Sequence, residues 1–186
     1  MTALGREASS ASRHELTLPK HTNVLFGQSM NDVSVRLYLP SDADATADIF
    51  LRAIREVATR DYSRGQINAW AQIDDRARWA ARRSSRPTWI AELASKPVGF
   101  TDLMPDGYLD MMFVHPEYQG LGVASLLLDM VEQKARELGL DHIYTEASIT
   151  ARPFFERRGF RVLKSQQVET RGETLSNFLM NKSLVK

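Results

Sequence analysis

The sequence predicts an α/β fold in which helices flank a mixed, mostly antiparallel sheet, and three observations predict it. Strand-type runs at Trp89–Leu93 and Val98–Leu103 are separated by Ser95-Lys96-Pro97, the pattern of an antiparallel hairpin. An amphipathic segment from Gly122 to Leu138 separates two apolar strand-type runs, and a helical crossover of that kind makes its two strands parallel. The chain closes with two further strands around Arg171-Gly172, which adds a second antiparallel pair. With 186 residues and 43% hydrophobic side chains, one substantial core can be buried, and residues 32–186 are expected to form a single domain.

Residues 1–31 mix Ser, Ala, Gly and charge without periodicity and are expected to form a flexible N-terminal tail. The first strand falls at Val33-Ser-Val-Arg-Leu-Tyr-Leu, rich in side chains that suit a pleated surface. Pro40 and Ser41 open the segment DADATADIFLRAIREVATR, in which Ile49, Leu51, Ile54 and Val57 share one helical face. Two more helical stretches follow, Ser63–Trp70 and Asp74–Ser84, with Trp70 and Trp79 turned inward among many arginines. After the hairpin, Pro105-Asp106-Gly107 marks a turn, and Tyr108-Leu-Asp-Met-Met-Phe-Val reads as a central strand covered on both faces. The Gly122–Leu138 helix stops at Gly139. Ile143-Tyr-Thr-Glu-Ala is the next strand, and Thr150–Arg158 is a short helix with Pro153 in its first turn and Gly159 as its stop.

Composition removes several function classes. The formal charge is +1, from 24 basic and 23 acidic side chains, so no global field draws the chain to nucleic acid or an anionic membrane. There is no cysteine, and His14, His21, His115 and His142 lack the spacing of a zinc motif, so no metal is expected. The first residues have no continuous apolar core, and no run of roughly 18 apolar residues occurs. The cytoplasm is the expected location.

The chemistry is carried by Met112-Phe-Val-His-Pro-Glu-Tyr-Gln-Gly-Leu-Gly-Val-Ala-Ser125, which passes from a buried strand through a glycine-containing loop into a helix. Free backbone N–H groups at the helix start and the helix dipole favour an anion, and glycines let a phosphate approach the main chain. No Lys-Ser/Thr pair follows the last glycine, and the three-glycine dinucleotide spacing is missing, so neither common nucleotide loop applies.

Here the sequence resembles the GNAT acetyltransferase superfamily. Its pyrophosphate loop, Gln/Arg-x-x-Gly-x-Gly/Ala, is matched by Gln119-Gly-Leu-Gly122-Val-Ala124. The preceding Val114-His-Pro-Glu-Tyr118 and the later Phe155-Glu-Arg-Arg-Gly159-Phe160 fit the same family, and the likeness spans roughly Val33 to Lys182. The run from Tyr62 through Trp70 and the segment SITARPFFERRGF are similar to a small bacterial YafP-like branch. The resemblance implies two parallel strands that splay apart to form the CoA cleft. It implies acetyl-CoA as co-substrate, its pantetheine arm paired with the backbone at Phe113 and Val114. The diphosphate would meet Gln119, Gly120, Leu121, Gly122, Val123, Ala124 and Ser125, with Phe155 beside the pantetheine. It further implies direct transfer of acetyl from the thioester to an amine on a small molecule or peptide, and it leaves a homodimer open. Local pocket charge and the volume around Met111, Met112 and Phe154 would select acceptor and acyl chain.

Asp110 is the one carboxylate in an otherwise apolar run, and it is the candidate general base; a hydrogen-bonded structural aspartate is the other reading. His115 lies between strand and loop, where either a base or plain loop packing fits. The sequence departs from the family at Phe155, where a tyrosine commonly protonates the departing thiolate, and at Ser148, where asparagine is common. Tyr62, Tyr118 and Tyr144 are the candidate replacements. The missing tyrosine also keeps open a non-catalytic acyl-CoA-binding sensor or interaction module. Arg76, Arg78, Arg82, Arg83 and Arg86 read as a solvated helix face, and Arg157 and Arg158 either meet a CoA phosphate or simply close a helix. The resemblance places Tyr62 and Trp70 on the helices of the acceptor wall, with core packing the simpler reading of Trp70.

Overall fold

A computed structural model describes residues 32–185; the stretch 1–31, expected to be a tail, lies outside the described residues. Strand β1 (Val33–Leu37) leads through a 3-10 turn into α1 (Ala43–Arg52). The expected single helix then changes pitch, first to a π turn at Ala53–Val57 and next to a 3-10 turn at Ala58–Arg60. Helix α2 (Arg64–Trp70) starts at a capping box. Ser63 Oγ accepts from the Gln66 amide at 3.2 Å and Gln66 Oε1 accepts from the Ser63 amide at 2.8 Å. Helix α3 (Arg76–Ser84) is capped by Asp75, which accepts from the Arg78 amide.

The expected hairpin is β2 (Thr88–Leu93) and β3 (Lys96–Asp102). Then come β4 (Tyr108–Leu109), β5 (Met112–Val114), the long helix α4 (Val123–Glu137) and β6 (His142–Ser148). Helix α5 (Arg152–Arg157) and the hairpin β7 (Arg161–Thr170) and β8 (Glu173–Ser183) complete the chain. One sheet runs β1-β2-β3-β5, all antiparallel. The other runs β4-β6-β8-β7, with β4 and β6 parallel and the remaining pairs antiparallel.

The run 108–114, expected as one mid-sheet strand, is instead divided between the two sheets. Tyr108 and Leu109 pair with Tyr144 and Thr145 of β6, whereas Met112 to Val114 pair with Thr101 to Gly99 of β3. Local chemistry accounts for the break. The Asp102 amide donates to the Met111 carbonyl at 3.0 Å, as in a regular ladder, but the Met111 amide donates to Asp102 Oδ1 at 2.8 Å. A side chain thus takes the ladder bond of the Asp102 carbonyl, and the chain turns away from β3. On the other side, Thr145 Oγ1 donates to the Leu109 carbonyl at 2.8 Å and satisfies the backbone where β4 ends.

Two apolar layers hold the sheets. Leu127, Leu128 and Val131 of α4 pack with Leu103, Leu109, Ile143 and Met180, while Ile49, Phe50 and Ile54 pack with Trp79, Ile90 and Phe100. Trp79 is buried as expected, and its indole N–H donates to Thr46 Oγ1. Arg76, Arg78 and Arg82 of α3 are exposed to solvent as expected, whereas Arg83 and, just after the helix, Arg86 are not. Arg83 is 1% exposed with its guanidinium 3.9 Å from the Trp79 ring centroid, and Arg86 is held in ion pairs. No helix among the described residues is long and apolar enough to cross a membrane.

Helix α4 packs tightly against β3 at Gly99. A Cβ there would lie 2.9 Å from Val123 Cγ1 and 3.1 Å from both Leu127 Cδ1 and the Phe113 carbonyl oxygen. Gly99→Val is therefore expected to lower stability by about 1–3 kcal/mol, read as a lower midpoint in urea with unchanged m-value.

Candidate active site

The divided strand opens a cleft. Between β5 and β6 lies a cavity of about 450 Å³, bounded by the start of α4, by α5 and by the π turn after α1. Residues Val98 and Asp102 bond to His115 and Met111, so Phe113 is a hydrogen-bonded partner of Phe100 in the same ladder. Alternation then turns the main-chain groups of Met112 and Val114 away from β3 and towards the cleft.

Helix α4 begins at Gly122, whose φ of 80° is the left-handed conformation that glycine adopts without strain. The Gly122 carbonyl accepts from Ser125 and Leu126, and the amides of Gly120 to Ala124 have no acceptor among the described residues. A Cβ added at Gly120 would meet nothing within 4 Å, so the main chain lies open there. Free donors, a helix dipole and open backbone fit the diphosphate of a CoA group. Of the residues assigned to the donor, Phe113, Val114, Gln119, Gly120, Gly122, Val123, Ala124, Ser125 and Phe155 all line the cavity. Leu121 packs instead against the core beneath the loop.

Asp110 lies in the strand break and lines the cavity. Its Oδ2 accepts from Arg86 Nη1 at 2.8 Å and from Arg82 Nη2 at 3.4 Å, while Oδ1 has no hydrogen-bond partner among the described residues. The same Arg86 Nη1 lies 3.4 Å from Asp102 Oδ2. Tyr108 is pushed above the ordinary phenol value by burial and then by the charges of Glu146 and Asp110.

His115 is buried at 3% exposure and caps the turn Pro116–Tyr118 by accepting from the Glu117 amide. Its Nε2 is 2.6 Å from Arg52 Nη1. Burial, with the Arg52 charge, holds its pKa below the ordinary imidazole value, and it is absent from the cavity wall. Phe155 is 3% exposed and packs edge-on against Phe154 and Phe160. Two candidate hydroxyls are engaged elsewhere: Tyr62 donates to the Ser176 carbonyl and accepts from the Ile149 amide, and Tyr144 donates to Asp106. Tyr118 lines the cavity with Lys96 Nζ 3.3 Å from its hydroxyl. Ser148 also lines it and accepts from the Ala151 amide.

Other wall residues escaped sequence reasoning. Glu146 enters from β6, its carboxylate held by Asn177 at 3.3 Å, which in turn accepts from Gln166. As the charged member of an alternating strand it carried a faint signal. Arg60 also lines the cavity; Arg157 and Trp70, both singled out in the sequence, do so too, and the Trp70 ring stands edge-on to Tyr62 at 5.5 Å. The π turn brings Ala53, Ile54 and Val57 to the same wall.

A sheet split beside a helix start with unbonded amides is an arrangement suited to holding an acyl-CoA donor. The family description "Acetyltransferase (GNAT) domain" matches residues 58–182, and the chain belongs to this family of N-acetyltransferases. It is 44% identical over 151 residues to the uncharacterized N-acetyltransferase YafP of Escherichia coli K12, covering 81% of this chain and 96% of YafP. A GCN5-related N-acetyltransferase of Rhodopseudomonas palustris superposes with a TM-score of 0.78 at 42% identity, over 81% of this chain and 94% of that one. YncA of Salmonella typhimurium, an acetyltransferase solved with acetyl-CoA, shares the fold with a TM-score of 0.66 at 16% identity, over 83% and 95% of the two chains.

Proposed function

We propose that residues 32–186 act as one unit that passes the acetyl group of acetyl-CoA directly to a neutral amine, with Asp110 taking the amine proton through a water molecule. The observation that carries this reading is a single cavity with unbonded amides after β5 and the unengaged Oδ1 of Asp110 before it. Acetyl-CoA supplies an acyl group already activated as a thioester. The Gly120–Ala124 amides and the α4 dipole hold the diphosphate. The main chain of Met112 and Val114, rather than that of Phe113, which is bonded to Phe100 of β3, pairs with the pantetheine arm and offers donors where negative charge develops on the acyl oxygen. Glu146 and Trp70 form the acceptor wall. With Phe155 in place of a hydroxyl, the thiolate leaves without a tyrosine acid, which its pKa of roughly 8.5 permits.

Phe155 also favours a second reading, an acyl-CoA-binding sensor that does not turn over. Calorimetric titration with acetyl-CoA, followed by thiol release against a panel of small amines and lysine peptides, separates the two. Binding with acceptor-dependent release is the expected result. Binding with no release from any amine would support the sensor, and no binding to folded protein would overturn both.

A further inference from the structure

Asp102 ends β3 directly behind the strand break and has no part in the reaction as read so far. It is fully buried, an unusual location for a carboxylate. Both of its oxygens are committed. Oδ1 accepts from the Met111 amide at 2.8 Å, and Oδ2 faces Arg86 Nη1 at 3.4 Å. Arg86 Nη1 in turn donates to Asp110 Oδ2 at 2.8 Å, so one nitrogen bridges a buried carboxylate and the carboxylate that faces the cleft. Asp110 is joined to Asp102 twice, through this shared cation and through the peptide bond to Met111.

We propose that Asp102 is a positioning residue: it fixes the break that presents Asp110 to the cleft, and its charge, exchanged through Arg86, sets how Asp110 is held there. This rests on the reading of Asp110 as the base. The groups facing Asp102 come from three directions. Arg83 and Arg86 approach from α3 and the segment after it, Asp110 from the strand break with Arg82 on its far side, and Tyr108 from β4. Burial and then the Asp110 charge push the Asp102 pKa up to about 6, against the Met111 amide and the two arginines that pull it down. Above that pH, two carboxylates share Arg86; below it, Asp102 is neutral and Arg86 is left to Asp110 alone.

The stability consequence has a definite sign. A carboxylate whose folded pKa exceeds its unfolded value of roughly 3.9 favours the fold most at low pH, and that contribution is lost as pH rises through about 6. The melting temperature of wild type relative to Asp102→Asn should therefore fall between about pH 4 and 6 and level off above that.

The test is carbon NMR of protein labelled at the aspartate carboxyl carbons, with amide spectra, from about pH 4.5 to 8, on wild type and Asp102→Asn. Asparagine keeps an oxygen for the Met111 amide and removes the charge. In wild type, the Asp102 carboxyl, the Met111 amide and the Asp110 carboxyl are expected to share one inflection near pH 6. In Asp102→Asn the inflection at Asp110 disappears, acetyl-CoA affinity stays within about twofold, and kcat for an amine found by thiol release falls on the order of tenfold. An Asp110 signal without the shared inflection in wild type, or with it unchanged in the variant, would overturn the coupling. Wild-type spectra alone decide this even if the variant folds poorly. Unchanged turnover in Asp110→Asn would instead overturn the base while leaving the coupling intact.

Discussion

Gly122→Trp is expected to abolish measurable acetyl-CoA binding while the protein still folds. Gly122 has φ near 80° at the start of α4, and its carbonyl accepts the first two bonds of the helix. A residue with a side chain can hold that conformation at a cost of roughly 1–2 kcal/mol, small enough to leave a folded majority. An indole at position 122, however, adds bulk on the cavity wall within the Gly120–Ala124 segment, whose free amides are the proposed anion site. Loss of those donors should weaken binding at least about 100-fold, or roughly 2.8 kcal/mol. Gly122→Ala separates the two effects, since it carries the same backbone strain without the bulk and should lose only about tenfold at most. Calorimetry reads the affinities and thermal melts read the fold. Equal affinities in wild type and the Trp variant would move the donor site away from this loop.

This site was legible in the sequence because its chemistry is local. Gln119 to Ser125 lie within two turns of chain, and the strand, loop and helix that make the anion site are consecutive. The division of the strand at Asp110 and Met111 was not legible, because its cause is a side chain on β3, Asp102, acting on an amide nine positions later. An apolar run such as Leu109 to Val114 looks like one buried strand until that cross-strand bond is known. Arg86 misled for a related reason: an arginine in a basic run reads as solvated unless its acidic partners are visible, and Asp102 and Asp110 come from other elements. Tyr62 and Tyr144 could be named as hydroxyl sources only while their partners, the Ser176 carbonyl and Asp106, were unknown. The π turn at Ala53–Val57 had no sequence signature, although it builds one wall of the cleft.

Asp110→Asn should lower kcat by about 100- to 10,000-fold, the range a positioned base contributes, with acetyl-CoA affinity within about twofold of wild type. Asparagine has the shape of aspartate but cannot accept the amine proton. The donor contacts assigned to the Gly120–Ala124 amides and to Met112 and Val114 do not involve this side chain. The substitution also leaves Arg86 without one of its two anions, yet Asp102 remains 3.4 Å away and Arg82 is half exposed to water, so a loss of the fold is not expected. A fall in kcat together with a changed pH–rate profile is what the base requires, because a merely structural aspartate would lower stability or binding and leave the profile alone. If kcat falls but the profile keeps its shape, Asp110 positions the acceptor and the proton goes elsewhere, with Glu146 the next carboxylate on the cavity wall. Unchanged kcat and profile would remove Asp110 from the chemistry and make Glu146→Gln the decisive variant.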